Sequence, residues 1–169
     1  MLGSLVPSSR FLVKSLLSRV EWDQAQILVE YGPGVGTFTR EILKRMRPDA
    51  TLVVIELNAE FVHLLRQEIR DPRLRVFHGS AAEVAAALEE MGFVSADYII
   101  SGIPYSNMPE SARRKILHES RRVLSPQGAF LVYQFTRTVL PYLQSSFRSV
   151  RQDFELMNIL PARIFCCNP

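Results

Sequence analysis

Cysteine is nearly absent from this sequence, which excludes the sites that depend on it. The 169 residues include two cysteines, Cys166 and Cys167, which are adjacent near the C-terminus. Adjacent cysteines provide neither the spacing of a metal site nor a disulfide framework. The sequence therefore predicts no metal site, and its sparse cysteine favours a reducing, cytoplasmic setting.

Long apolar runs are also missing. No run approaches the roughly 20 residues that a membrane span requires. The N-terminus, MLGSLVPSSRFLVKSLL, lacks a long apolar core and a small-residue cleavage site, so we do not expect a signal peptide. The net charge of +3 is mildly basic and compatible with an anionic partner. The length predicts one domain, spanning residues 1–169.

What the sequence does contain is an alternation of apolar, β-branched runs with segments of helical period. This alternation predicts an α/β fold with a mostly parallel sheet covered on both faces. Two further extended runs near the C-terminus, separated by Pro161, predict an antiparallel hairpin that completes a seven-stranded, Rossmann-like doubly wound sandwich. The predicted strands are 27–31, 51–57, 74–78, 96–101, 128–135, 153–160 and 162–167.

A glycine-rich loop, GPGVG, follows the first predicted strand. In such sheets ligands bind beyond the carboxyl ends of the strands, and glycine lets the backbone approach a ligand closely. The loop does not fit a dinucleotide, whose fingerprint requires glycine or alanine where Thr37 stands. Glu30, just before the loop, would also repel a diphosphate but suits a cationic ligand.

The pattern Glu30-x-Gly32-x-Gly34-x-Gly36 resembles the first motif of class I S-adenosylmethionine-dependent methyltransferases. In that family the acidic residue lies near the amino-acid end of the cofactor. The resemblance gives Glu56, at the end of the next strand, the role of binding the ribose hydroxyls, at close to the expected spacing of roughly 20 residues. The implied cofactor contacts are Glu30, Tyr31, Gly32, Pro33, Gly34, Gly36, Thr37, Glu56, Leu57, Ser80, Ala81 and Ser101.

Two readings of Ser80 remain open after the third strand. Many members of the family carry an acid there that contacts the adenine amino group, and the Ser80 hydroxyl or the backbone at Ala81 could take its place. Ser80 could equally be the N-cap of a helix.

The loop after the fourth strand, SGIPYSNMP, is typical of methyltransferases that modify nitrogen. The resemblance implies a substrate loop at Gly102, Ile103, Pro104 and Tyr105, stiffened by the proline. We expect Tyr105 to be the catalytic residue, with its ring face set against the acceptor and the positive charge that develops there. An amine acceptor must first lose a proton. No residue in the loop is an evident base, and His78, near the strand ends, could equally be structural, so we assign no base.

Two acceptor classes and a non-catalytic alternative remain open. Ribosomal RNA adenine dimethylases share the glycine loop, but they carry asparagine where this sequence has Gly102, and their RNA-binding helical domain has no counterpart here. Short bacterial phospholipid N-methyltransferases resemble the sequence almost end to end. They imply methylation of the amine of a phosphatidylethanolamine-type phospholipid. A third interpretation is a protein that binds the cofactor or a membrane without catalysis.

The N-terminal segment, residues 1–22, is predicted to be a helical lid over the cofactor or a membrane-contacting segment. Apolar residues would lie on one side of its helix, facing the sheet or lipid, with basic residues at the flanks. The apolar residues are Phe11, Leu12, Leu16 and Leu17, and the basic residues are Arg10, Lys14 and Arg19. The interfacial interpretation places the protein in the cytoplasm, peripherally at the inner membrane surface.

Overall fold

A computed structural model describes residues 10–155 and 162–169. Seven strands form its single sheet: β1 (Ile27–Tyr31), β2 (Thr51–Glu56), β3 (Leu74–His78), β4 (Ala96–Ser101), β5 (Leu124–Gln134), β6 (Ser149–Glu155) and β7 (Ala162–Asn168). The helices are α1 (Arg10–Leu17), α2 (Thr37–Arg45), α3 (Ala59–Glu68), α4 (Val84–Glu90), α5 (Glu110–Val123) and α6 (Leu140–Ser146). Short 3-10 helices span Ala81–Glu83 and Tyr105–Asn107.

The strand order is β3-β2-β1-β4-β5-β7-β6. The first five strands are parallel, and β7 is antiparallel to both β5 and β6. The predicted α/β fold with a C-terminal antiparallel hairpin is therefore confirmed. Because β1 lies between β2 and β4, the order reverses beside β1, which is where doubly wound sheets bind their ligands.

Two apolar clusters cover the two faces of the sheet. One contains buried side chains of α1, α2 and α3, and the other contains those of α4, α5 and α6. This arrangement explains the nearly continuous apolar character of β1, β2 and β4, whose residues face a helical layer on either side.

Two strands begin earlier than predicted. β5 begins at Leu124 rather than at Gly128, and its register against β4 shifts between Ala96 and Tyr98. A register irregularity of this kind accommodates Pro126, which cannot donate a hydrogen bond to the ladder. The first strand of the predicted hairpin, β6, begins at Ser149 rather than at Asp153, and residues 156–161, including Pro161, lie outside the described residues.

The apolar side of α1 packs on the sheet. Leu12, Leu16 and Leu17 are completely buried, whereas Phe11 is 37% exposed. Each buried leucine contributes roughly 1.5–3 kcal/mol, so turning this side toward lipid would be costly. The lipid-facing alternative is therefore wrong for these three leucines. Arg19 is paired with Asp153 on β6, and residues 1–9 of the predicted segment lie outside the described residues.

Candidate active site

The glycine loop between β1 and α2 uses a backbone conformation that side chains disfavour. Gly32, Gly34 and Gly36 have φ of +65°, +55° and +83°. A Cβ on Gly32 would come within 2.7 Å of Ile103 Cγ2, so this turn packs directly against the substrate loop. A Cβ on Gly34 would meet nothing within 4 Å. The loop therefore presents open space at Gly34, at the carboxyl edge of the sheet.

Glu56, the last residue of β2, joins this loop to the start of α3. Its Oε2 accepts a hydrogen bond from the Gly34 amide at 3.2 Å, and its Oε1 accepts one from the Asn58 amide at 2.9 Å. A carboxylate offers about four lone-pair directions, so these bonds leave acceptor capacity on both oxygens. The side chain is 7% exposed, and the neighbouring Leu57 is 72% exposed.

Glu30 is a buried carboxyl group directly beneath the loop. It is 3% exposed and accepts a hydrogen bond from Thr39 Oγ1 at 2.7 Å. Burial raises the pKa of Glu30 to about 8, against the lowering effect of the Thr39 hydrogen bond and with a further contribution from the negative charge of Glu56. Without a ligand, the carboxyl group is therefore predominantly protonated at neutral pH.

The remaining residues of the expected cofactor site lie around the same edge, but two of them direct their side chains inward. The Tyr31 hydroxyl is buried 3.0 Å from Ser120 Oγ, and the Ser101 hydroxyl is buried 3.0 Å from the Tyr105 hydroxyl. The Pro33 carbonyl accepts a hydrogen bond from the Gly36 amide at 2.9 Å, and Thr37 is the first residue of α2.

Ser80 has the geometry of a helix N-cap. Its Oγ accepts a hydrogen bond from the Ala82 amide at 3.2 Å, and the Glu83 carboxylate accepts the Ser80 amide at 2.7 Å. This reciprocal capping box satisfies two amides that the following helix leaves without partners. The cap was one of the two readings left open; an adenine contact through Ser80 or the Ala81 backbone stays a prediction.

Two residues that the sequence analysis missed hold the substrate loop in place. The Gln134 side-chain amide donates to the Ile103 carbonyl at 2.8 Å. Arg113, on α5, donates from Nε to the Tyr105 carbonyl at 2.9 Å and from Nη2 to the Met108 carbonyl at 3.1 Å. The buried Arg113 guanidinium also lies 4.4 Å from the centre of the Tyr142 ring. No local motif signals these contacts, because Gln134 reaches Ile103 from a neighbouring strand and the Arg113 contacts depend on how α5 packs beside the loop.

The structure places Tyr105 differently from our expectation. Its side chain is completely buried within the apolar cluster of α4, α5 and α6, so no exposed ring face is set against an acceptor. Burial also raises the pKa of the Tyr105 phenol well above its usual value, so the group stays protonated and supplies no phenolate to act as a base. Gly102, Ile103 and Pro104 are each at least partly exposed and remain accessible.

Two absences concern the described residues, 10–155 and 162–169. Within them, no three histidine, cysteine, aspartate or glutamate side chains come together in a way that could hold a metal ion. Within the same ranges, every helix is too short or too polar to cross a membrane.

Comparisons with known proteins identify the family of the chain. A family model described as a methyltransferase domain matches residues 28–128. An ornithine lipid N-methyltransferase from Singulisphaera acidiphila is 29% identical over 168 residues, which cover 98% of this chain and 88% of that protein. A ribosomal RNA small subunit methyltransferase A from Clostridium perfringens is 32% identical over 80 residues, which cover 47% of this chain and 27% of that protein.

The fold is shared with a ligand-bound methyltransferase structure. Human methyltransferase-like protein 13 in complex with S-adenosylhomocysteine superposes with a TM-score of 0.67 at 17% identity, over 94% of this chain and 80% of that chain. The residues present fit such a ligand, since Gly34 leaves open space, Glu56 has unused acceptor capacity and Leu57 is exposed beside it. The chain belongs to the methyltransferase domain family, and it is a methyltransferase whose cofactor is S-adenosylmethionine.

Proposed function

We propose that this enzyme methylates the amine nitrogen of a lipid headgroup. The observation that carries the proposal is the extent of similarity: the ornithine lipid N-methyltransferase matches 98% of the chain, whereas the ribosomal RNA enzyme matches 47%. Phosphatidylethanolamine is our first candidate and an ornithine lipid the second. Both present a primary amine on a flexible headgroup.

The cofactor would lie along the carboxyl edge, between the glycine loop, Glu56 and the turn at Ser80. When bound, S-adenosylmethionine supplies a methyl group on a positively charged sulfur, already activated toward a nucleophile. In this proposal the Glu56 carboxylate accepts hydrogen bonds from the ribose hydroxyls. Leu57 contacts the adenosine, and Glu30 lies toward the amino-acid end. The Tyr31 and Ser101 side chains support the site from the core.

The substrate loop orients the acceptor amine. An amine must be neutral to act as a nucleophile, although its pKa in water is near 10, like that of lysine. Moving the headgroup amine out of water beside Ile103 and Pro104 lowers that pKa and favours loss of the proton. Arg113 and Gln134 hold the loop at its carbonyl groups, so alignment of acceptor and donor does not require the loop to be ordered at each turnover.

A membrane surface would be the location of such a substrate. We propose peripheral contact through the exposed part of α1, where the Arg10 guanidinium lies 5.0 Å from the centre of the Phe11 ring. Phe135, 41% exposed directly after β5, adds an aromatic side chain at the carboxyl edge. Basic and aromatic side chains together suit the interface of an anionic leaflet.

Methylation of adenine in RNA is the alternative. The partial similarity to the ribosomal RNA enzyme supports it, but the substrate loop does not provide the polar side chain that a base edge requires, because Gly102 stands at that position.

The acceptor assay separates these functions. Purified protein and labelled S-adenosylmethionine should methylate phosphatidylethanolamine or ornithine lipid in mixed vesicles at least about tenfold faster than ribosomal RNA, a difference of about 1.4 kcal/mol in activation free energy. Phosphatidylcholine vesicles, which contain no primary amine, are the control. Transfer of the labelled methyl group to RNA but not to lipid would contradict the proposal.

Glu56→Ala should weaken cofactor binding by about 10- to 100-fold, because hydrogen bonds to a charged group contribute roughly 1.5–3 kcal/mol. S-adenosylhomocysteine at 100 times its Kd should stabilise the wild-type protein by about 2.7 kcal/mol, and the same ligand concentration should stabilise the variant far less. Thermal unfolding with and without ligand measures both. Glu60→Ala, an exposed acid in the first turn of α3, is the matched control. An unchanged shift in the Glu56 variant would remove this residue from the cofactor site.

A further inference from the structure

Gly102 is a glycine for a reason other than backbone conformation. Its φ is not among the positive values of the chain's glycines, so the backbone there is open to other residues. A Cβ on Gly102 would instead collide with the Tyr133 ring: Cε1 would lie at 2.7 Å, and Cζ and the hydroxyl oxygen would be closer still. The absence of a side chain at position 102 therefore makes room for the ring of Tyr133.

Two contacts position Tyr133 near the carboxyl end of β5. Its ring stacks on Phe38 of α2, with centroids 5.1 Å apart and an interplanar angle of 18°. Its carbonyl accepts a hydrogen bond from the Gln134 side-chain amide at 2.7 Å, and the same amide holds Ile103. The side chain is half-buried, so part of it remains accessible beside the substrate loop.

We propose that Tyr133 is the residue that contacts the acceptor amine, an inference that rests on the proposed lipid amine methylation. The ring and its oxygen lie directly against Gly102, in the loop that orients the acceptor in the proposed function. An aromatic face attracts a cationic headgroup. A phenol oxygen can donate one hydrogen bond and accept others, so it can accept an amine N–H whatever its other partner.

In this role a residue of β5, Tyr133, selects the acceptor, rather than a residue of the substrate loop. A flat ring with one oxygen suits a small amine, whereas reading a nucleobase edge requires several donors and acceptors in one plane. The buried Tyr105, which the sequence suggested, lies on the other face of the sheet, in the cluster of α4, α5 and α6. Tyr133 packs against the cluster of α1, α2 and α3.

The test compares Tyr133→Phe and Tyr133→Leu with the wild type on the methylated lipid. Tyr133→Phe should reduce kcat/KM for the unmethylated amine about tenfold, the effect of one net hydrogen bond. Tyr133→Leu should reduce it further because the ring face is also lost. Both variants should bind S-adenosylhomocysteine within about twofold of wild type. Tyr98→Phe is the matched control, since this phenol packs against the same cluster and accepts the Glu21 amide at 3.2 Å near the start of β4.

A second measurement distinguishes contact with the acceptor from a structural role. On the dimethylated lipid, the ratio of wild-type to Tyr133→Phe kcat/KM should fall toward 1, because a neutral tertiary amine has no N–H to donate. Equal penalties on both lipids, or wild-type kcat/KM in both variants, would overturn the inference while leaving the proposed function standing. No lipid product with the wild-type protein would overturn both.

Discussion

Replacing Gly34 with alanine should weaken binding of S-adenosylhomocysteine about 10- to 100-fold, while the same change at Gly92 should leave it unchanged. Both glycines have positive φ, +55° and +80°, and a Cβ on either would meet nothing within 4 Å. Their backbone costs should therefore match, at roughly 1–2 kcal/mol. They differ in position, because Gly92 follows α4 at the amino end of the sheet.

The expected loss at Gly34 comes from the ligand. A methyl group placed in the open space of the loop would occupy volume that the cofactor needs, and overpacking of this kind costs about 1–3 kcal/mol. Isothermal titration measures the affinity, and chemical unfolding checks that the two variants are equally destabilised. Wild-type affinity in the Gly34 variant, or equal loss in both variants, would show that the cofactor does not approach this loop.

Cofactor affinity should also rise with pH, by up to about tenfold per unit between pH 5 and 8. The cause is Glu30, whose pKa burial raises to about 8. If the carboxylate faces the cofactor's amino-acid end, binding requires the charged form. Below its pKa, the group must release a proton when the ligand binds. Glu30→Gln should bind more weakly and show little of this pH dependence, while Glu60→Gln should behave as the wild type does.

The same group makes the free protein less stable as the pH rises. The folded state holds the proton on Glu30 up to about pH 8, whereas the unfolded chain releases it near the ordinary value of 4.5. The folded state therefore binds more protons in this window. The contribution of Glu30 to the free energy of unfolding is complete below pH 4.5 and is lost as the pH rises through 8. The free energy of unfolding falls by at most about 1.4 kcal/mol per pH unit from this cause.

Urea unfolding of wild type and Glu30→Gln across pH 5 to 9 isolates this contribution as a difference. The difference cancels other titrating groups that the two proteins share. Parallel stability curves for wild type and variant would contradict a raised pKa of Glu30. An affinity that rises equally with pH in both proteins would separate Glu30 from the cofactor.

The sequence by itself determined the features that depend on local pattern. Apolar runs of β-branched residues specify strands wherever both faces are covered, and β1, β3 and β4 have the predicted bounds. The glycines of the loop after β1 indicated a turn open to a ligand, because glycine adopts positive φ whatever the rest of the fold is. The helical layers followed from periodicity, and the family resemblance then implied the place of the cofactor.

Only the tertiary structure decided how the side chains around that place are used. Burial of the apolar side of α1, of Tyr105 and of Glu30 results from packing between distant elements, so a single residue's type does not reveal it. Arg113 and Gln134 hold the substrate loop from a helix and a strand that lie later in the chain. The ring of Tyr133 meets Gly102 because β4 and β5 are neighbours in the sheet. Such contacts depend on strand order, and periodicity along the chain carries no information about which strands lie side by side.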